Sequence, residues 1–199
     1  MIAHMSPTCV KAVVFDVFGT LVQHPKVRMH PYHLLSIHQR QHQDNPTPSP
    51  LLTRNITGQA WAQELGLTHL IAQYNLRLGV DLDALTLYGD VEEAFQRVRR
   101  AGLKIAVCSN LAQAYGIAVE EFFPDVDARI LSYEVGAAKP QPAIYDAVCQ
   151  SLHVLPCEIL FIGDSEKCDF LGPKAHGMQS RWLQRDKGET LLDAIESVA

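Results

Sequence analysis

Four short stretches carry side chains able to act together on an anionic group. Asp16 stands in FDVFGT, Ser109 and Asn110 in VCSN, Lys139 in GAAKPQP, and Asp164 and Asp169 in GDSEKCD. A carboxylate can attack an electrophilic phosphorus or carbon, a hydroxyl and an ammonium can hold the group being transferred, and paired carboxylates can bind a hard cation. None of these stretches is specific alone: an aspartate after a strand is a common turn residue, Ser109 and Asn110 could cap a helix, and Lys139 could be any loop lysine. Their order, and the elements that precede them, give them meaning.

Each stretch follows an apolar run. VKAVVF ends at Phe15, KIAVC covers 104 to 108, ARILS 128 to 132, EILFI 158 to 162, and QSRWL 179 to 183 repeats the signal. These short β-branched runs, alternating with helical stretches, predict an α/β chain with a doubly wound parallel sheet. In such a sheet reactive groups collect beyond the carboxyl ends of the strands. Asp90 with Glu93 predicts a capping box for VEEAFQRVRRAG, closed by Gly102. A second helix starts around Pro140 and Pro142 and runs through AIYDAVCQSLH. A third covers roughly 189 to 198, with Leu191, Leu192 and Ile195 facing inward.

Residues 22–87 break the rhythm with helical pattern and no strand pattern, interrupted by PTPSP at 46 to 50. They predict a helical cap inserted into a core of 1–21 plus 88–199, with helices near 30 to 43, from Thr57 to Leu65, and through Leu70, Ile71, Tyr74 and Leu78. Trp61, Leu65, Leu70 and Leu78 serve as the cap's own apolar core. His38 and His42 have an i, i+4 spacing with Asp44 nearby, but no HExxH pattern accompanies them and a solvated helix face explains them better.

The order of the four stretches resembles the haloacid dehalogenase superfamily over nearly the whole chain, and the insertion after the first is similar to the helical C1 cap of its subfamily I. The resemblance implies a hydrolase with Asp16 as covalent nucleophile, and Ser109, Asn110, Lys139, Gly19 and Thr20 around the transferring group. It also implies Mg2+ held by Asp16, the backbone carbonyl of Phe18, Asp164 and Asp169. One position departs. Phosphatases of this family read DxDGT, and the second aspartate, which protonates the leaving group, is Phe18 here. A positioned acid is worth about 100- to 10,000-fold.

An aromatic residue at that position resembles the metal-independent 2-haloacid dehalogenases, whose halide needs no proton. Their fourth motif resembles SSNxxxD, however, whereas this chain keeps Asp164. Three carboxylates against Lys139 leave a formal charge of about −2, which a divalent cation would balance. The expectation is therefore a Mg2+-dependent phosphohydrolase using an aspartyl-phosphate intermediate. The alternatives are a 2-haloacid dehalogenase drawing on Arg28, Arg40 or Arg54, and a weakly active or non-catalytic binding member. Good leaving groups, such as acyl or aryl phosphates, or an acid supplied by His24, His30 or His33 would compensate for Phe18.

With 199 residues, 47% of them hydrophobic and 20% charged, the composition is that of a globular protein. A net charge of −5 without a basic run argues against nucleic acid, and the absence of a leader-like or membrane-length apolar stretch predicts a cytoplasmic protein acting on a small anionic substrate. Oligomeric state leaves no mark on the sequence. Five cysteines without a CxxC pair suggest reduced thiols, with Cys9 and Cys108 as core filler.

Overall fold

The computed structural model describes residues 10–23, 25, 31–35 and 49–199. Five strands form one parallel sheet: β1 (Ala12–Phe15), β4 (Lys104–Ser109), β5 (Ala128–Leu131), β6 (Ile159–Gly163) and β7 (Gln179–Trp182), in the order β5-β4-β1-β6-β7. The two remaining strands, β2 (Val22–Gln23) and β3 (Thr86–Leu87), pair antiparallel outside that sheet.

Alternation along β1 sorts the core into two layers. Val13 and Phe15 face a layer with Ile105, Val107, Leu160 and Ile162, covered by the helix Val91–Arg100 through Phe95 and Val98 and by the helix Leu191–Ile195. Ala12 and Val14 face the other layer, where Ile144, Tyr145, Val148 and Leu152 of the helix Pro142–Leu152 pack on Ala106, Cys108 and Phe161. Helices on both faces of a parallel sheet make the chain doubly wound, and Cys108 is buried core as expected, while Cys9 lies outside the described residues.

Two expectations about helix ends need correction. Asp90 does not close a capping box with Glu93, because its carboxylate is taken by Arg185 and by the Leu191 N–H. The final helix spans only Leu191–Ile195, since a capping box between Thr190 and Asp193 fixes its start, and its Leu191 and Ile195 are buried.

The inserted segment also differs in one respect from a purely helical piece. The chain departs along Val22 and returns along Leu87, with Val22 opposite Leu87, Gln23 opposite Thr86, and the Gln23 side chain donating to the Leu87 carbonyl. Two residues per strand are too few for a period-two pattern to register in sequence. Between them the described residues are helical at 31–35, Pro50–Thr53, Gly58–Glu64 and Ile71–Asp83, with Thr57 capping the third through its hydroxyl. Tyr32, Leu35, Trp61 and Tyr74 are buried in the same apolar layer as Phe15. His38, His42, Asp44, Arg28 and Arg40 lie outside the described residues. Among the described residues no helix is long and apolar enough to cross a membrane.

Candidate active site

Because all five strands of the main sheet run the same way, their carboxyl ends form one rim, and the loops leaving that rim carry the polar residues singled out above. Asp16 follows β1, its N–H bonded to the Ile162 carbonyl of β6 at 2.8 Å. The chain then folds tightly over Val17, whose carbonyl accepts from the N–H groups of Leu21 and Val22, both at 2.8 Å. Gly19 takes φ +86° there, and a Cβ on it would meet Asp164 Oδ2 at 2.2 Å. Only glycine serves at this point, both for the backbone angle and for the close approach.

Lys139 is the hub. Its Nζ donates to Asp16 Oδ1 at 2.6 Å, Asp169 Oδ1 at 2.6 Å and the Cys108 carbonyl at 2.9 Å, so all three ammonium protons have acceptors. The side chain is 2% exposed. The Asn110 amide holds the backbone carrying it, with Oδ1 accepting from the Lys139 N–H at 2.7 Å and Nδ2 donating to the Lys139 carbonyl at 2.8 Å. The Asn110 side chain therefore positions the lysine loop. Thr20 is fully buried and its hydroxyl donates to Asp16 Oδ2 at 3.2 Å. Ser109 is buried at the end of β4, beside Cys108.

The opposite wall is the turn after β6. Residues Glu166–Leu171 wind as a π-helix capped by the Ser165 hydroxyl, which accepts from the Cys168 N–H. The wider coil turns Asp169 back over the strand end, where its Oδ2 accepts from the Ser165 N–H at 3.0 Å while its Oδ1 faces Lys139. Trp182, at the end of β7, donates through Nε1 to the Asp164 carbonyl at 2.9 Å. One oxygen from each of Asp16, Asp164 and Asp169 lies within 4.8 Å of the others.

Three carboxylates against one ammonium leave a formal charge of −2 in this cluster. Burial lifts the Asp16 carboxyl to about 7, with Asp169 and Asp164 adding to the rise against the pull of Lys139. Burial also raises Asp164, again with a contribution from Asp169. Burial pulls Lys139 down, but Asp16 and Asp169 more than reverse that, so it stays protonated. Burial and the neighbouring carboxylates thus disfavour the charged form of Asp16, and a divalent cation among the three would favour it. The donor set, all carboxylate oxygen with a close-fitting glycine beside it, suits Mg2+.

Phe18 is half buried, its ring set edge-on to Tyr115 at 5.7 Å between centroids and 78° between planes. It lines a cavity of about 360 Å³ together with Tyr32, Leu51, Leu52, Leu111 and Tyr115. His33 lines the same cavity, whereas His24 and His30 lie outside the described residues. Arg54 is committed to Glu64 through two hydrogen bonds, at 2.8 and 2.9 Å, and stacks over Trp61.

Two supports were not anticipated from the sequence. Arg185, in the loop after β7, donates Nε and one terminal nitrogen to the Thr20 carbonyl at 2.9 and 2.6 Å, grips Asp90 with its terminal nitrogens, and lies 3.8 Å over the Tyr88 ring. It thereby ties the turn after Asp16 to the residues that follow β3. Inspecting the residues after the fifth strand, as after the other four, would have drawn attention to it. The second support is a short hydrogen bond from the Tyr115 hydroxyl to Asp81, a buried pair 34 residues apart that joins the helix Ile71–Asp83 to the core.

Comparison with known proteins follows the same lines. A mouse haloacid dehalogenase-like hydrolase domain-containing protein 3 is 29% identical over 160 residues, covering 69% of this chain and 61% of the relative, so the chain spans less than two thirds of that protein's length. The crystal structure of a HAD phosphatase from Thermococcus onnurineus superposes with a TM-score of 0.71 at 20% identity, covering 96% of this chain and 98% of that one. A HAD family enzyme from Bacteroides thetaiotaomicron, solved in complex with magnesium and inorganic phosphate, superposes with a TM-score of 0.67 at 17% identity over 88% and 94% of the two chains. At these identities the structural likeness shows the shared fold. The family-wide sequence profile described as haloacid dehalogenase-like hydrolase matches residues 10–177, and the chain belongs to that family of hydrolases.

Proposed function

We propose that this chain is a Mg2+-dependent phosphohydrolase that works through a phosphorylated Asp16. The observation that carries the proposal is the acidic cluster, in which oxygens of Asp16, Asp164 and Asp169 lie within 4.8 Å of each other around one buried lysine. Asp164 has no use in a metal-free reaction on an anion and would oppose it. The shared fold of a HAD phosphatase, and of a HAD family enzyme solved with magnesium and inorganic phosphate, supports this reading. The insertion at 22–87 is the C1-type helical cap of a subfamily I member, over a core of 1–21 and 88–199, and cap residues select the substrate.

In this mechanism Thr20 and Lys139 hold the Asp16 carboxylate, one on each oxygen, and fix its orientation for attack on phosphorus. The Ser109 hydroxyl receives a phosphoryl oxygen, and Lys139, whose protons go to Asp16, Asp169 and the Cys108 carbonyl, contributes its positive charge beside it. The backbone of Gly19 and Thr20 borders the group, and Asn110 keeps the lysine loop in register. Asp16, Asp164, Asp169 and the Phe18 carbonyl would hold Mg2+, which when bound offsets the repulsion between carboxylate and phosphate. Asp16 attacks phosphorus, the bond to the leaving oxygen breaks, and water then cleaves the phosphoaspartate to inorganic phosphate. Without an acid at position 18 the first step favours leaving groups stable as anions, such as aryl or acyl phosphates.

Phosphate release from acetyl phosphate tests the reading. It should require Mg2+, stop with EDTA and vanish in Asp16→Asn. Phe18 favours a second reading, a 2-haloacid dehalogenase, which predicts halide release from 2-chloropropionate unaffected by EDTA. Absence of both activities would point to the binding role.

A further inference from the structure

The aromatic residue that displaces the acid does more than remove a proton. Phe18, two residues after Asp16, forms the near wall of the 360 Å³ cavity, and Asn110, whose amide holds Lys139, stands at its edge. The cavity therefore begins where the site for the transferring group ends. Most of its other described lining is aliphatic or aromatic: Tyr32, Leu51, Leu52, Leu111, Ala112 and Tyr115. The rings are fixed against each other, Phe18 edge-on to Tyr115 and Tyr32 tilted against Tyr115 at 6.1 Å, and the Tyr115 hydroxyl is turned away to Asp81.

We infer that this cavity receives the leaving group, and that the leaving group is an uncharged planar aromatic, so that the substrate is an aryl phosphate monoester. The inference rests on the phosphohydrolase reading above and deepens it. Among the described residues no Lys, Arg, Asp or Glu lines the cavity, so a leaving group bearing its own carboxylate or ammonium finds no lysine, arginine or carboxylate partner there. The polar side chains present are Asn110, His33 and Ser49. A polyol would lose its hydration against the leucine and aromatic walls, whereas a flat ring can meet Phe18 and Tyr115 in edge-on or offset contact. The volume stands at the lower end of the range for small-molecule sites, roughly 300–1,000 Å³, enough for one or two fused rings.

Reactivity and fit then point to one substrate class. Asp16 attacks phosphorus, the P–O(aryl) bond breaks, and its electron pair leaves on the aryl oxygen as a phenolate, which takes a proton from water. A phenolate needs no strong acid beside it, and Phe18 supplies none. Phe18 thus supplies no proton to an alkyl leaving group and offers a surface to an aryl one.

The test measures KM and kcat for phenyl phosphate, 2-naphthyl phosphate and 4-carboxyphenyl phosphate with Mg2+, using acetyl phosphate, too small to fill the cavity, as reference. The second ring of the naphthyl ester should lower KM by about fivefold relative to phenyl, from the apolar area it buries. The added carboxylate should raise KM. In Leu52→Lys the preference should reverse, with KM rising for the naphthyl ester and falling for the carboxyphenyl ester. Equal KM values for the three wild-type substrates, with acetyl phosphate still hydrolysed in an Asp16-dependent way, would overturn the cavity assignment alone. Failure to hydrolyse acetyl phosphate as well would overturn the phosphohydrolase reading and this inference with it.

Discussion

Replacing Lys139 with Met would expose how the acidic cluster is balanced. The ammonium is 2% exposed and makes three hydrogen bonds, two of them to carboxylates at 2.6 Å. Its removal takes the cluster from a formal charge of −2 to −3 with little change in volume. Breaking a buried ion pair from one side costs about 3–5 kcal/mol. For a chain of this length each kcal/mol moves the unfolding midpoint by roughly 2–4 °C, so Lys139→Met should melt about 6–20 °C below wild type in EDTA. Mg2+ should narrow that gap, because the more negative cluster binds a cation more tightly. Each tenfold gain in affinity returns about 1.4 kcal/mol at saturating ion. Thermal unfolding of both proteins, in EDTA and across a Mg2+ titration, reads this directly, and phosphate release should stay lost throughout. A gap that is the same with and without Mg2+, or no gap at all, would refute the reasoning that Lys139 and a cation share the neutralisation of Asp16, Asp164 and Asp169.

Two further perturbations address the leaving group and the supports of the site. Phe18→Asp restores a carboxyl where the ring now packs on Tyr115, and should raise turnover of alkyl phosphates by more than that of aryl phosphates, since only the former need a strong proton donor; equal changes in both series would contradict this. Burial raises the Asp90 carboxyl, but the hydrogen bonds from Arg185 and the Leu191 N–H outweigh it and hold the group below its ordinary value. A depressed pKa stabilises the fold above the unfolded value, about 3.9, and that contribution disappears as pH falls through the folded value. Asp90→Asn should therefore lower urea stability at pH 7 by about 1 kcal/mol, after screening of a partly exposed pair, and the difference from wild type should shrink as the pH is taken down below the unfolded value and through the depressed folded one. A difference that does not change with pH would show that Asp90 acts by packing alone.

Much of the rim was legible because sheet strands announce themselves locally. Runs such as KIAVC and EILFI are buried on both faces, so hydrophobicity alone marks them, and a parallel sheet obliges the residues after them to share one end. By that logic Asp16, Lys139, Asp164 and Asp169 belong at one rim, and they lie together there. Partnerships across the chain were another matter. Asp90 looks like a helix cap from its neighbours, yet its carboxylate goes to the guanidinium of Arg185, 95 residues away, and to the N–H of Leu191, 101 residues away. Asn110 is a candidate ligand on position alone, but its amide closes on the backbone of Lys139, 29 residues on. Periodicity reports which face of an element is buried and says nothing about which polar partner it meets there. The cavity of Phe18, Tyr32 and Tyr115 was hidden for the same reason: each aromatic residue reads as core until packing leaves a space between them.

The central claim is that Asp16 becomes covalently phosphorylated. Acid quenching of the protein during turnover of acetyl phosphate with Mg2+, followed by peptide mass spectrometry, should find one phosphoryl group on the peptide spanning β1 and its turn, located on Asp16 and lost after mild alkali. Steady phosphate release with Asp16 unmodified at every quench time, together with undiminished activity in Asp16→Asn, would contradict the account.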